Sequence, residues 1–260
     1  MAFDGDRLDA RRPEIVRALL PMVEAFTATY LRLRVDGVAH VPATPAIFVA
    51  NHNGGIFGPD LLCTLATLWR ARGPDAPLYA LAHDFAMRQL TPLGRLLQAL
   101  GAVRASPANA RRVLASGGQV LVYPGGDLEA YRPTRLRDRI VLGTRTGFVR
   151  VAQEAGVPLV PIVAHGAHRS AYILSDGRLF ARLVHLREWG RLSRFPVALA
   201  LPWGLALGPW IPYLPLPFPI RLRVLPSIAV DPDADPTDVR EQVRETMQGA
   251  LDALAREAAA

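Results

Sequence analysis

Short runs of uninterrupted apolar residues alternate along this chain with longer stretches whose apolar residues recur every three or four positions. Ile15, Leu19, Leu20, Val23 and Phe26 follow the second pattern and predict an amphipathic helix from Pro13 to about Tyr30, within an N-terminal segment 1–30. Leu31 to Val38 alternates apolar and polar residues and predicts a strand, and Ala46–Ala50 predicts a strand buried on both faces. Helices follow at Asp60–Arg72 and Phe85–Leu100, the latter broken near Thr91-Pro92. Two more are expected at Pro107–Ser116, between an N-cap at Ser106 and a stop at Gly117, and at Thr144–Glu154, stopped by Gly156. Strands are expected at Leu78–Ala82, Ala102-Val103, Val120–Tyr123, Leu159–Ala164 and Arg221–Leu225, with a last helix at Val239–Ala258. This alternation predicts one α/β layered domain over 1–260, with a largely parallel central sheet flanked by helices.

Residues 195–220 break the pattern. FPVALALPWGLALGPWIPYLPLPFPI holds seven prolines and no charged residue, so no regular helix can run through it. Trp203, Trp210 and Tyr213 are amphipathic aromatics of the kind favoured at membrane–water interfaces. Two readings stand: a surface that contacts a membrane or lines a channel for an acyl chain, and an apolar core loop.

Composition narrows the partners. All 30 basic residues are arginine and the net charge is +7. Such a chain attracts anionic lipid headgroups and phosphorylated ligands. The arginines are scattered without interleaved aromatics, so no nucleic-acid partner is expected. The lone Cys63 excludes an internal disulfide. The polar start MAFDGDRLDARRPE is unlike a signal peptide, and no run of 18 apolar residues suits a plain membrane span. The expected location is the cytoplasmic face of the membrane, peripheral or monotopic, or else the cytoplasm.

The chemistry gathers in two loops. VANHNGGIFGPD, residues 49–60, sets Asn51 and His52 at a strand's end and Asp60 at a helix start, with Gly54 and Gly55 turning the chain between them. A histidine and carboxylate so placed suit a general base and its orienting partner, although Asp60 also suits the helix dipole alone. VLVYPGGDLEAYRP, residues 120–133, repeats the arrangement with Gly125 and Gly126, followed by Asp127, Glu129 and Arg132. Backbone N–H groups in either loop could hold a phosphate or an oxyanion. A G-x-S-x-G elbow, a Walker lysine and G-x-G-x-x-G are all absent. With one cysteine and dispersed histidines, no metal site is expected.

The order NH…D, LGAVRAS, YPGG…E…R and GVPLVPIV, over Val35 to Pro226, resembles the PlsC-like glycerolipid and phospholipid acyltransferases. The resemblance implies a glycerol-phosphate-acyltransferase-like fold with His52 and Asp60 catalytic. It assigns substrate contacts to Arg104 in the second block (Gly101–Ser106) and to the third block, which normally reads like FPEGTRS and binds the acceptor's phosphate. The fourth block matches Val157–Val163. The chain departs from the family in having seven residues between His52 and Asp60 where four are usual, and Gly125-Gly126 where Glu-Gly is usual. The YPGG form and the PWG…PYLPLP stretch resemble a branch near the diacylglycerol acyltransferases. The implied reaction is direct acyl transfer from acyl-CoA or acyl carrier protein to a lipid hydroxyl, without further cofactor. Two other readings remain: a lipid-binding protein of the same fold without turnover, and a thioester or lipid hydrolase.

Overall fold

The computed structural model describes residues 4–55, 58–83, 87, 91–183, 185, 194–208 and 213–259. Helix α1 (Pro13–Thr29) leads to strand β1 (Arg34–Asp36), then β2 (Ile47–Ala50), α2 (Pro59–Arg72) and β3 (Leu78–Ala82). Next come α3 (Thr91–Ala99), β4 (Ala102–Arg104), α4 (Pro107–Ala115), β5 (Gln119–Val122) and the short α5 (Gly126–Ala130). Then follow α6 (Gly147–Ala155), β6 (Leu159–His165), β7 (Tyr172–Ser175), α7 (Arg178–Leu183), β8 (Val197–Ala200), β9 (Gly204–Leu207), β10 (Arg221–Val224) and α8 (Pro236–Ala259).

Seven strands form the main sheet in the order β1-β10-β6-β2-β5-β3-β4. Strands β6, β2, β5, β3 and β4 are parallel, while β10 runs antiparallel to β6 and carries β1 beside it. The predicted strand over 31–38 is thus a three-residue edge strand, followed by a 3-10 turn at Val38–His40. In the centre, β2 and β6 are buried at every position, as expected for parallel strands covered on both faces. Ile47 and Val49 pack with Val113, Phe148, Val243 and Met247 of α4, α6 and α8. Phe48 and Ala50 face the other way, toward Val16 of α1 and Cys63, Leu68 and Trp69 of α2. Cys63 is fully buried, and burial pushes its thiol pKa up, so it is a core residue.

Local signals behave as their chemistry requires. Ser106 Oγ accepts from Asn109 N–H at 3.1 Å and starts α4. Gly156, with φ of 62°, closes α6. Of the helix expected over 85–100, Thr91–Ala99 is seen, and residues 84–86 and 88–90 lie outside the described residues. The stretch 195–220, where no regular helix was expected, contains the hairpin β8–β9, which joins β7 in a second, antiparallel sheet in the order β7-β8-β9. Residues 209–212 of that stretch, Trp210 included, are outside the described residues.

Candidate active site

Strand β2 ends between β6 and β5, and the loop 51–55 leaves it at the strands' C-terminal edge, the usual place for a site in such sheets. Asn51 prolongs the sheet with its side chain: Nδ2 donates to Ala164 O at 3.1 Å and Oδ1 accepts from Ala164 N–H at 2.8 Å. It therefore pins β2 to β6, with both amide atoms engaged there. His52 comes next. Its Nδ1 lies 2.9 Å from Asp60 Oδ2, and the ring packs against Tyr123 with centroids 4.7 Å apart. A carboxylate oxygen accepts, so Nδ1 carries the hydrogen and Nε2 keeps its lone pair. Asp60 is 0% exposed. Its Oδ2 also accepts from Asn53 N–H at 3.2 Å, while Oδ1 has no hydrogen-bond partner among the described residues.

The long spacing between His52 and Asp60 is absorbed by glycine. Gly54 and Gly55 have φ of 73° and 91°, values that side chains adopt only under strain. Gly58 N–H donates to Gly55 O at 3.0 Å, and a Cβ at Gly58 would overlap Asn53 O and Asp60 Oδ1. The chain folds back on itself there and returns Asp60 to His52. Residues 56 and 57 are outside the described residues.

Behind this loop sits a buried polar frame. Glu129 is fully buried; its Oε2 accepts from His52 N–H at 2.8 Å and its Oε1 from Val141 N–H at 2.9 Å. Burial raises its carboxyl pKa, against the lowering effect of Arg132 and the two N–H groups. All five N–H donors of Arg132 are spent. Nε donates to Leu136 O, NH1 to His52 O at 2.7 Å and Glu129 O at 2.8 Å, and NH2 to Asn53 Oδ1 at 2.5 Å and Arg137 O at 2.8 Å. Substrate contacts were expected of Glu129 and Arg132; here both carboxylate oxygens and all five N–H donors are engaged within the protein. Together they clamp the backbone on both sides of His52.

The N–H groups of the glycine loops are mostly engaged within the protein as well. Gly54 N–H donates to His168 Nδ1 at 3.2 Å, Gly55 N–H to Ala130 O at 2.9 Å and Gly126 N–H to Tyr123 O at 3.1 Å. Among the described residues only Gly125, of the four, keeps its N–H without a protein acceptor. Gly125 is required where it stands, since a Cβ would overlap Val141 O and the Glu129 side chain. Arg104 does not join the group. Its guanidinium is paired with Asp6 through both Nε and NH2, at the end of edge strand β4.

Sequence reading missed His168, Asn53 and Tyr213. His168 donates from Nε2 to Arg132 O at 2.7 Å and accepts at Nδ1, which makes it a neutral strut. Burial, with the Arg132 charge adding to it, lowers its pKa to about 3. Tyr213 OH donates to Gly54 O and lies 3.2 Å from Ser170 Oγ. Asn53 lies in the loop itself, one residue after His52, whereas no local motif marks His168 and Tyr213, which reach the loop from after β6 and after β9.

The family model described as Acyltransferase matches residues 32–165. An uncharacterized protein of Mycobacterium leprae is 30% identical over 241 residues, covering 89% of this chain and 62% of that protein. One from Mycobacterium tuberculosis is 29% identical over 238 residues, covering 89% and 64%. A mouse protein, the DGAT1/2-independent enzyme synthesizing storage lipids, is 22% identical over 231 residues, covering 88% and 62%. The chain thus spans 62–64% of the length of these relatives. In fold it is similar to the crystal structure of the 1-acyl-sn-glycerophosphate acyltransferase PlsC from Thermotoga maritima. The TM-score is 0.56 and the identity 16%, with 94% of this chain and 84% of that one covered.

Proposed function

The chain belongs to the acyltransferase family, and from that premise we propose that it moves a fatty acyl group from acyl-CoA or acyl carrier protein to a lipid hydroxyl at a membrane surface. The observation that carries this reading is the 2.9 Å contact between His52 Nδ1 and Asp60 Oδ2 at the end of the central strand. The acceptor oxygen attacks the thioester carbonyl carbon as His52 Nε2 takes its proton. The tetrahedral intermediate then collapses, the C–S bond breaks, and the imidazolium returns the proton to the leaving thiolate. Asp60, with one buried oxygen unpartnered, stabilises the imidazolium formed in between. Gly125 N–H is the donor for the tetrahedral oxygen.

The acceptor, on this reading, has no phosphate. The third-block arginine that would hold one has no donor left, and an uncharged hydroxyl lipid such as diacylglycerol needs none. The storage-lipid activity in the mouse relative's name points the same way. The protein works from the cytoplasmic face of the membrane, and no described helix is long and apolar enough to cross it.

Labelled oleoyl-CoA, mixed lipid extract and purified protein provide the test. A labelled neutral lipid is expected, and His52→Ala should lower its formation about 10²–10⁴-fold with the fold intact. Free fatty acid as the product would identify a hydrolase, and absence of turnover in the wild type a lipid-binding protein. Activity near wild type in the variant would remove His52 from the mechanism.

A further inference from the structure

The second sheet is built inside out. Antiparallel sheets with one face in water put polar residues there, but the outward positions here are Tyr172 and Leu174 on β7, Leu199 on β8, and Leu205 and Leu207 on β9. Leu205, at 58% exposure, is opposite Leu199, which is opposite Tyr172. Trp203, at the hairpin's tip, is 56% exposed. On β8 and β9 the inward positions are small, with Ala200 and Ala206 packed on Ala171 and Tyr213, while the inward residue of β7 is Ile173, buried against Ala130 and Tyr131. In the β8–β9 hairpin burial by size is thus reversed, with the leucines in solvent and the alanines inside. A continuous apolar face of this kind marks an interaction surface.

We propose that this face of β7–β8–β9, with α7 at its edge, docks on the headgroup–acyl boundary of an anionic lipid bilayer. Three features favour lipid over a second protein. Trp203 and Tyr172 carry the polar-tipped rings that sit at that boundary. On α7, the exposed Leu179, Phe180 and Leu183 alternate with the exposed Arg178 and Arg182, so apolar side chains insert where guanidinium groups meet phosphate. The charge is one-sided: Asp176 is paired with Arg194 at 3.2 Å, and 195–220 has no charged residue. The face is also coupled to the catalytic loop. Tyr213, packed under the hairpin, donates to Gly54 O two residues from His52. A docked bilayer therefore lies one layer of side chains from the loop that carries the base. This placement rests on the reading of a lipid as acceptor, but it concerns binding alone.

Co-sedimentation with vesicles tests it. The wild type is expected to pellet with phosphatidylcholine–phosphatidylglycerol vesicles and more weakly with phosphatidylcholine alone. Leu199→Asn with Leu205→Asn should weaken partitioning at least about tenfold. Arg178→Gln and Arg182→Gln should each cost about fivefold on anionic vesicles only, and less at high salt. Unchanged circular dichroism and unchanged turnover of a detergent-dispersed acceptor check that the leucine variant folds. Equal binding by wild type and leucine variant, or a wild type left in the supernatant, overturns the proposal. So does a wild-type dimer, without vesicles, that the leucine variant splits, since the face would then belong to a second copy. His52→Ala should bind vesicles like the wild type, so failed docking and failed catalysis are told apart.

Discussion

At the scale of single residues, the site is a histidine held from three directions. Asp60 fixes its ring, Glu129 takes its N–H and Arg132 takes its carbonyl. Arg132→Lys separates a strut from a ligand contact. Lysine has three donors for five acceptors, so at least two buried groups go unsatisfied, at a cost of about 2–4 kcal/mol in urea unfolding. A ligand contact would instead keep its stability and lose acceptor affinity. His168 gives a second prediction, in pH. Its folded-state pKa of about 3 lies below the ordinary 6.5, so below pH 6.5 the unfolded chain takes up a proton that the native state refuses. Its contribution is whole above pH 6.5 and falls as pH drops toward 3, by up to about 1.4 kcal/mol per pH unit. Buried His165 adds to the slope in the same direction, and Glu129, whose pKa is raised, opposes it. Urea midpoints across this window should fall less steeply for His168→Asn than for the wild type. The meeting of His52 and Asp60 could be expected from sequence because each sits at the junction of a strand or helix with a glycine loop. The duties of Glu129 and Arg132 could not, because their partners at 52, 53, 136, 137 and 141 converge only after folding.

At the scale of elements, Gly58 couples α2 to β2. It has no room for a side chain beside Asn53 O and Asp60 Oδ1, so Gly58→Ala must displace the start of α2 or the end of the 51–55 loop. Turnover should fall about 10–100-fold, since small misplacements of a base are costly. Melting temperature should fall as well, because the overlap is with a backbone oxygen, although Leu68 and Trp69 still anchor the helix in the core; turnover at the wild-type level would contradict this. The buried strands β2, β5 and β6 were legible as apolar runs bounded by turns. The β8–β9 hairpin was not, for a physical reason: Val-Ala-Leu-Ala facing Gly-Leu-Ala-Leu alternates in size and not in polarity, so the period-two signal of a half-buried strand never forms.

At the scale of the whole molecule, parallel strands end at the loop that carries His52, and the small sheet lies against that loop through Tyr213 and Ser170. The α/β order was legible because each strand and helix declares its own period. The reversal of β10 and β1 was not, because pairing depends on which sheet edge stays free. The proposed docking would couple rate to surface. A lipid acceptor dispersed in neutral micelles must find His52 by collision, whereas one in an anionic bilayer is supplied by a protein already bound there. Turnover should therefore be higher when the acceptor is embedded in phosphatidylcholine–phosphatidylglycerol vesicles than in neutral detergent. The advantage should shrink as salt rises, because screening at 0.1 M already limits exposed charges to about 10 Å. Arg178→Gln with Arg182→Gln should lose most of the advantage and keep the rate in detergent, since neither residue belongs to the frame around His52. Rates equal in both presentations at every ionic strength would mean that substrate reaches the site from solution, and the exposed leucines would need another explanation.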